Sequence, residues 1–321
     1  MLTTFYFDSE LFDDKSLQLI AQLNISLLES WQHYGCLGIC ASHKKEILAS
    51  INKVPPKYSV KWQTALSQFK NTVIKPSIVT ISDYDSFDHV KDELVKQNVT
   101  TGIIATDYAD DFKGYDNPDK FEIVSPVNFG ESKNFEKSKS LCLKQIKNGD
   151  DINTIWDERF KNLALHTKGI TIIDRFSALN ILEDHKLGKR TALDKFIEFL
   201  STTGKKYEIT IFGACDINGK MTNATDLKFY LDNVLRKKPF YNQSVVNCSF
   251  ALCKNRFFGQ EAHDRMIRLD DYVFEIGNGI DIFREKPISN NSFTIKPLTF
   301  TNFEDIYIAL NRNREPGCTS L

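Results

Sequence analysis

The sequence predicts an α/β protein, with one α/β domain over residues 1–150 and a second over residues 151–321. Amphipathic helical patterns alternate with short apolar, β-branched runs in both halves, which favours helices packed on largely parallel sheets. A polar stretch from 107 to 149 separates the two alternating series. The 321 residues, 41% hydrophobic and 26% charged, are enough for two ordinary globular domains.

The first half opens with a helix over 15–33, in which apolar residues from Leu17 to Trp31 recur at spacings of three and four. The remaining predicted elements are a strand at 35–40, a helix at 44–52 ended by Pro55 and Pro56, a strand at 77–81, a helix at 87–97 and a strand at 101–105. Acidic residues that follow these strands are interpreted as solvated loop residues. The sequence indicates no role for this domain.

The domain boundary is predicted at Gly149, Asp150 and Asp151, which are polar turn residues before a new helical pattern. A short helix at 135–147 precedes it. The second half then contains a helix at 152–165, a buried strand from 169 that ends in Asp174 and Arg175, a helix at 192–201, a strand at 207–213, a helix at 226–235, a strand at 245–253, a strand–turn–strand unit within 263–283, an edge strand at 293–298 and a helix at 302–309.

Composition excludes several classes of protein. The formal net charge of −1 gives no global attraction to nucleic acid or membranes, so any anion site must be a local patch. No apolar run is long enough to span a bilayer, and the N-terminus lacks a signal-peptide pattern. The seven cysteines are scattered and show no C-x2-C spacing, so we interpret them as reduced, buried thiols. A cytoplasmic protein is therefore expected.

The run from His263 to Phe283 carries the clearest motif. His263, Arg265 and Asp270 have the spacing H-x-K-x4-D with arginine in place of lysine, and two glycines and an aspartate follow. This pattern resembles the phospholipase D-like superfamily. With the triplet at 263–265 and the run at 276–283, the chain is most similar to the C-terminal phospholipase D-like domain of MIT-domain proteins, over residues 165–310 or so.

The resemblance implies half a phospholipase D fold and a catalytic set of His263, Arg265 and Asp270. In such enzymes the histidine attacks a phosphodiester, the cation holds the phosphate oxygens, and the carboxylate orients the histidine. Neither a metal nor a cofactor is expected in this chemistry. On the residues alone, His263 is also compatible with a structural role, and Asp270 with a plain turn between two strands.

Six further residues are predicted to bind substrate. Arg175 ends a strand whose carboxyl edge also receives Arg265, so two guanidinium groups are expected in one crevice. The other candidates are Asp264, Gly277, Asn278, Gly279 and Asp281. The glycines are expected to bring backbone close to another group and to form an anion nest. Asp264 is alternatively a structural partner of an arginine, Asp281 either supports Arg265 or His263 or caps a turn, and Asn278 stands where the enzymes have serine.

The sequence therefore predicts a phosphodiesterase of phospholipase D-like type that cleaves nucleic acid more readily than lipid, and phage defence is a fitting setting. The alternative is a non-catalytic module that binds anionic lipid, nucleic acid or a partner protein. Because only one histidine triplet is present, an enzyme is expected to complete its site as a homodimer. Basic tracts at 186–190, 205–206 and 236–238 are either solvated surface or part of a polyanion groove.

Overall fold

A computed structural model describes residues 1–75, 80–84, 86–108, 121–261 and 265–315, without the side chains of 259–261. The chain divides into two compact units, Met1–Ser140 and Leu141–Leu321, and each packs helices on a β-sheet, so the predicted α/β class is confirmed. The division lies before the predicted boundary at 149–151. The reason is that Ile146 pairs with Asn291 and the Gly149 amide donates to the Ile288 carbonyl at 3.1 Å, which joins these residues to the second unit.

Within the described residues, the first unit contains a five-stranded parallel sheet in the order β3-β2-β1-β4-β5. Its strands are β1 Thr3–Tyr6, β2 Gly35–Ile39, β3 Asn71–Val73, β4 Thr101–Ile103 and β5 Glu122–Val124. β2 and β4 were predicted, whereas β1, β3 and β5 were not. Most of the predicted strand at 77–81 lies outside the described residues, and Ile81 begins a 3-10 turn, Ile81–Asp83.

The helices of the first unit are α1 Lys15–Leu19, α2 Ala21–Tyr34, α3 Lys44–Ser50, α4 Pro56–Gln68 and α5 Phe87–Lys96, and α6 Lys133–Leu143 begins in this unit and ends just past the division at Ser140. The helix predicted at 15–33 is divided at Ile20, whose backbone is extended. Asn24 stabilises the division, because its side chain donates to the Leu17 carbonyl and accepts from the Trp62 indole. Pro56, interpreted from sequence as a helix stop, begins α4, where proline is favoured.

Within the described residues, the second unit contains a six-stranded mixed sheet in the order β10-β7-β6-β11-β12-β13 and a small hairpin of β8 and β9. Its strands are β6 Gly169–Ile173, β7 Tyr207–Ala214, β8 Asp216–Ile217, β9 Lys220–Met221, β10 Val245–Cys253, β11 Met266–Leu269, β12 Tyr272–Ile276 and β13 Phe293–Pro297. β10, β7 and β6 are parallel, and β11 to β13 continue the sheet antiparallel. The parallel strands are almost continuously apolar, as expected for strands covered on both faces.

The helices of the second unit are α7 Ile152–Ile155, α8 Lys161–Ala164, α9 Ser177–Lys186, α10 Ala192–Ser201, α11 Ala224–Asn233, α12 Pro239–Ser244, α13 Asn255–Glu261 and α14 Phe303–Arg312. A π-helical turn, Trp156–Phe160, joins α7 to α8. Aromatic packing stabilises this side of the sheet, since the Phe160 ring stacks on Phe274 at 4.3 Å between centroids. Among the helices that the structure describes, none is both long and apolar enough to cross a bilayer.

Candidate functional site

The register between β6 and β11 assembles the candidate site. Ile173, the last residue of β6, pairs with Met266, the first residue of the antiparallel β11. The residues after β6 therefore lie beside Arg265, which precedes β11. Arg265 in turn accepts a backbone hydrogen bond from Ile276 at the end of β12. Three chain segments that are distant in sequence thus meet at one edge of the sheet.

A cavity of about 330 Å³ opens at this edge. It is lined by Arg175, Phe176, Arg265, Glu275, Ile276, Gly277, Ser292, Phe293 and Thr294. The guanidinium carbons of Arg175 and Arg265 each lie 4.6 Å from the centre of the Phe176 ring. Two cations on one aromatic ring are favourable because the ring face is electronegative. The expected convergence of the two arginines in one crevice is therefore present in the structure.

Local backbone contacts position Arg175. The Arg175 carbonyl accepts from the Ala214 amide at 3.0 Å, which links it to the end of β7. Its side chain is half-buried, and its Nε atom is fully buried without a hydrogen-bond partner among the described atoms. The buried Nε is therefore out of reach of a ligand in the cavity, and only the remaining N–H groups of the guanidinium can serve as donors there.

Asp174 is the buried carboxylate that holds Arg265. Its Oδ1 lies 3.7 Å from Arg265 Nε, and the side chain is inaccessible to solvent. Its oxygens also accept the backbone amides of Phe176 at 3.0 Å and Ile280 at 3.1 Å. Burial raises the pKa of Asp174 to about 6, although the nearby Arg265 opposes the shift. Asp174 therefore couples Arg265 to two neighbouring chain segments.

Gly279 lies directly over this ion pair. Its φ of +56° is in the left-handed region, and a Cβ atom there would contact the Asp174 carboxylate and lie 2.8 Å from Arg265 Cδ. Glycine is therefore required both for the backbone conformation and for the space. The expectation that a glycine brings backbone close to another group is met here, and that group is the Asp174–Arg265 pair.

The glycine segment does not form the predicted anion nest. The Gly277 amide donates to the Ser292 carbonyl at 3.1 Å, and the Asn278 amide donates to Asn291 Oδ1 at 3.0 Å. The amide of Ile280 is bound to Asp174. Because these N–H groups already have protein acceptors, they do not point at a ligand. Gly277 contributes instead to the cavity wall.

Asp270 lies at the opposite end of β11 from Arg265, roughly 17 Å away at the usual rise of a strand. Its carboxylate accepts the amides of Lys168 at 2.8 Å and Gly169 at 2.9 Å, and its φ of +45° marks a tight turn. The structure therefore agrees with the alternative interpretation of Asp270 as a turn residue between two strands. Asp270 connects the start of β6 to the end of β11 and does not lie with the cavity residues.

Asp281 lies beside the cavity rather than in its wall. One of its oxygens accepts from the Asn180 side chain and lies 3.8 Å from Arg284, while Oδ1 is buried without a partner among the described atoms. Burial raises the pKa of Asp281, and Arg284 is the main group that opposes this. The same carboxylate also raises the pKa of Asp174. Arg265 also opposes the rise of the Asp281 pKa, so the connection between these two residues is electrostatic.

Two predicted residues, His263 and Asp264, lie outside the described residues, so the structure does not place them. Several residues that line the cavity carry no sequence signal. Phe176 follows Arg175 directly, but only the register of β11 shows that one ring receives both guanidinium groups. Thr294 comes from the edge strand β13 and Ser292 immediately precedes it, in a segment that carried no motif.

Two guanidinium groups and two hydroxyl groups are among the described lining groups of the cavity. Glu275 is the acidic group among them, and it already accepts from Lys296 at 2.6 Å and from Thr294 at 2.9 Å. Asp174 offsets part of the Arg265 charge, so Arg175 is the cation of the described lining with no carboxylate partner among the described ion pairs, and both guanidinium groups carry N–H donors of the kind that bind phosphate or carboxylate. Within the described chain, no cluster of three or more histidine, cysteine or acidic side chains is arranged to hold a metal ion.

A comparison of the sequence with protein-family models and with curated proteins found no match. What the fold and the cavity define is an α/β domain with an arginine-rich pocket at the edge of a mixed sheet.

Proposed function

We propose that the second unit binds a phosphate group of nucleic acid in the cavity lined by Arg175 and Arg265. The observation that carries the proposal is the placement of two guanidinium groups on the single Phe176 ring in one cavity. Arginine binds phosphate with parallel hydrogen bonds, and an aromatic ring beside it provides a surface on which a base can stack. The described cysteines are free thiols, which suits a cytoplasmic protein.

Binding of a short fluorescein-labelled single-stranded oligonucleotide tests the proposal. Replacing Arg175 or Arg265 by alanine is expected to cost on the order of 1.5–3 kcal/mol, or roughly tenfold to hundredfold in affinity. Arg312→Ala is the matched control, because Arg312 is exposed at the end of α14. Unchanged affinity in both cavity variants would refute the proposal. Tighter binding to anionic vesicles than to the oligonucleotide would replace nucleic acid by a lipid headgroup.

Phosphodiester cleavage is the second candidate, because Arg265, a wall residue of the cavity, follows His263 by two positions. In this proposal His263 is the nucleophile and Arg265 holds the phosphate. Since Asp270 lies at the far end of β11, Asp174 takes the supporting role of the carboxylate.

Three results are expected together if the protein cleaves phosphodiesters in this way. Cleavage should survive EDTA, disappear in His263→Ala, and be accompanied by a dimer in light scattering, since each subunit supplies one histidine triplet. Arg312→Ala again serves as the control. Cleavage that is lost in EDTA but kept in His263→Ala would assign the chemistry to another site. A stable monomer that binds without cleaving would leave binding as the function.

A further inference from the structure

Glu275 is the acidic residue in the described lining of the arginine cavity. A carboxylate does not bind phosphate, so this residue serves another purpose there. Its Oε2 atom accepts from Lys296 Nζ at 2.6 Å and from the Thr294 hydroxyl at 2.9 Å. Lys296 thereby offsets the charge of Glu275. A phosphate can therefore approach the two arginines without strong repulsion from this carboxylate.

The other carboxylate oxygen of Glu275, Oε1, accepts no hydrogen bond from the described part of the chain, since both bonds end on Oε2. The side chain keeps 20% of its surface accessible, whereas the carboxylate of Asp174 is inaccessible to solvent. An accessible carboxylate oxygen can accept a hydrogen bond from a hydroxyl group of a ligand. The cavity therefore offers an acceptor for a hydroxyl group as well as donors for an anion.

The pairing of β11 with β12 fixes the position of Glu275 relative to Arg265. Ile276 donates its amide to the Arg265 carbonyl at 3.0 Å, and Glu275 pairs with Met266, the residue after Arg265. Neighbouring strands lie about 4.8 Å apart. Arg265 and Glu275 therefore come from backbone positions that are close enough for one nucleotide to contact both side chains.

The chemical groups of a ribonucleotide match this arrangement. In RNA the phosphate on C3′ and the hydroxyl on C2′ are carried by adjacent carbons of one sugar. The arginine N–H groups can donate to the phosphate while Glu275 Oε1 accepts from the hydroxyl. DNA has the same phosphate but no 2′-hydroxyl, so it would leave the Glu275 oxygen without a donor. The 2′-hydroxyl is therefore the group that this carboxylate can recognise.

We propose that the cavity selects RNA over DNA, because Glu275 accepts a hydrogen bond from the ribose 2′-hydroxyl. This inference rests on the proposed binding of a nucleic-acid phosphate by Arg175 and Arg265. The cavity volume of about 330 Å³ is near the lower end of the usual range for small-ligand sites, about 300–1,000 Å³, which suits a single nucleotide unit of a strand. The arginines then provide affinity, and Glu275 provides specificity for the sugar.

Three fluorescein-labelled strands of one sequence, composed of A and C, test the proposal. They are RNA, DNA and 2′-fluoro RNA, which keeps the sugar pucker of RNA but lacks the hydroxyl donor. In fluorescence anisotropy the full chain should bind RNA about tenfold more tightly than either of the other strands.

Variants of Glu275 assign this preference to one side chain. Glu275→Ala should bind the three strands with similar affinity, and Glu275→Gln should keep part of the preference because its amide oxygen still accepts a hydrogen bond. The ratio of affinities is the readout, since removing a negative charge strengthens the binding of every strand. Glu285→Ala is the matched control and should keep the wild-type ratio, because Glu285 is exposed and does not line the cavity.

Thermal unfolding must show that Glu275→Ala folds, because this variant loses the contacts with Lys296 and Thr294. If it does not fold, Glu275→Gln and the 2′-fluoro strand decide the matter. Equal affinity of the wild type for all three strands, with a loss in Arg265→Ala, would overturn the selection of RNA and leave phosphate binding in place. A 2′-fluoro strand that binds like RNA, or a preference that survives in Glu275→Ala, would also overturn it. Failure of every strand to bind would overturn both proposals.

Discussion

Arg265 occupies a position where the resembling motif has lysine, and its surroundings suit a guanidinium. The side chain lies 3.7 Å from the Asp174 carboxylate through Nε and stacks 4.6 Å from the centre of the Phe176 ring. A planar, delocalised cation can make both contacts and still present its terminal N–H groups to a ligand. A lysine ammonium concentrates its charge at one atom, so it cannot contact Asp174, the Phe176 ring and a ligand at the same time.

We therefore expect Arg265→Lys to bind the labelled oligonucleotide more weakly than the wild type but better than Arg265→Ala. The loss should be about 1–2 kcal/mol, since the charge remains while the paired hydrogen bonds are lost. Fluorescence anisotropy gives the affinities and thermal unfolding gives the stability of the same proteins. If the lysine variant binds and cleaves as the wild type does, Arg265 acts as a simple charge.

Asp174 should make stability depend on pH in a definite direction. The pKa of this carboxyl is raised by burial from 3.8 to about 6, so the folded protein retains a proton that the unfolded chain has released. Protonated Asp174 therefore stabilises the folded protein at low pH. This contribution to the free energy of unfolding is lost as the pH rises from about 4 to about 6. Two pKa units correspond to at most about 3 kcal/mol.

Asp174→Asn should remove this loss, since asparagine does not titrate in that range. Urea unfolding of the wild type and of Asp174→Asn from about pH 4 to about pH 6 measures the difference between their free energies of unfolding. The variant should become more stable relative to the wild type as the pH rises. A parallel course of the two stability curves would show that Asp174 titrates normally.

At the level of residues, the sequence pointed to the two arginines of the cavity better than to their surroundings. The spacing at 263–283 pointed to Arg265, and the charged end of β6 pointed to Arg175; both line the cavity. The same spacing grouped Asp270 with them because a linear motif does not show that a strand intervenes. The role of Asp174 depends on burial and on the β6–β11 register, neither of which a single segment contains.

The 3-10 segment Gly279–Phe283 is the element that closes over the Asp174–Arg265 pair. Gly279→Ala should destabilise the protein by more than the roughly 1–2 kcal/mol of a left-handed alanine, because the new Cβ also contacts Asp174 and Arg265. Gly204→Ala is the matched control, since Gly204 has a φ of +70° and no atom near its Cβ position. Urea unfolding measures the stability of both variants. Equal losses of stability in Gly279→Ala and Gly204→Ala would show that the contact of the new Cβ with Asp174 and Arg265 adds nothing.

Secondary structure was predictable where an element is long and uniformly patterned. The boundaries of α10 and β10 agree with the prediction because their apolar residues recur without interruption. Short strands such as β3 give too few residues for a pattern, and their pairing depends on the rest of the sheet. The start of α4 was missed because Pro56 can either end a helix or begin one.

At the level of the whole chain, the second unit contains a complete sheet and the complete cavity. We therefore expect a fragment of residues 141–321 to unfold cooperatively and to retain the oligonucleotide affinity of the full chain within about threefold, the usual scatter of such energies. Circular dichroism and anisotropy test this. A fragment that folds but does not bind would show that the first unit contributes to the site.

The position of β6 between β7 and β11 has a consequence for the order of events during synthesis. Three chain segments line the cavity: Arg175 with Phe176, Arg265, and residues between 275 and 294. Roughly ninety residues of chain separate Phe176 from Arg265. β6, β7 and β10 can pair while the chain is still growing, but β11 must insert beside β6 afterwards. A ribosome-bound chain that ends before β11 is therefore expected to form the parallel β10-β7-β6 pairs without the cavity.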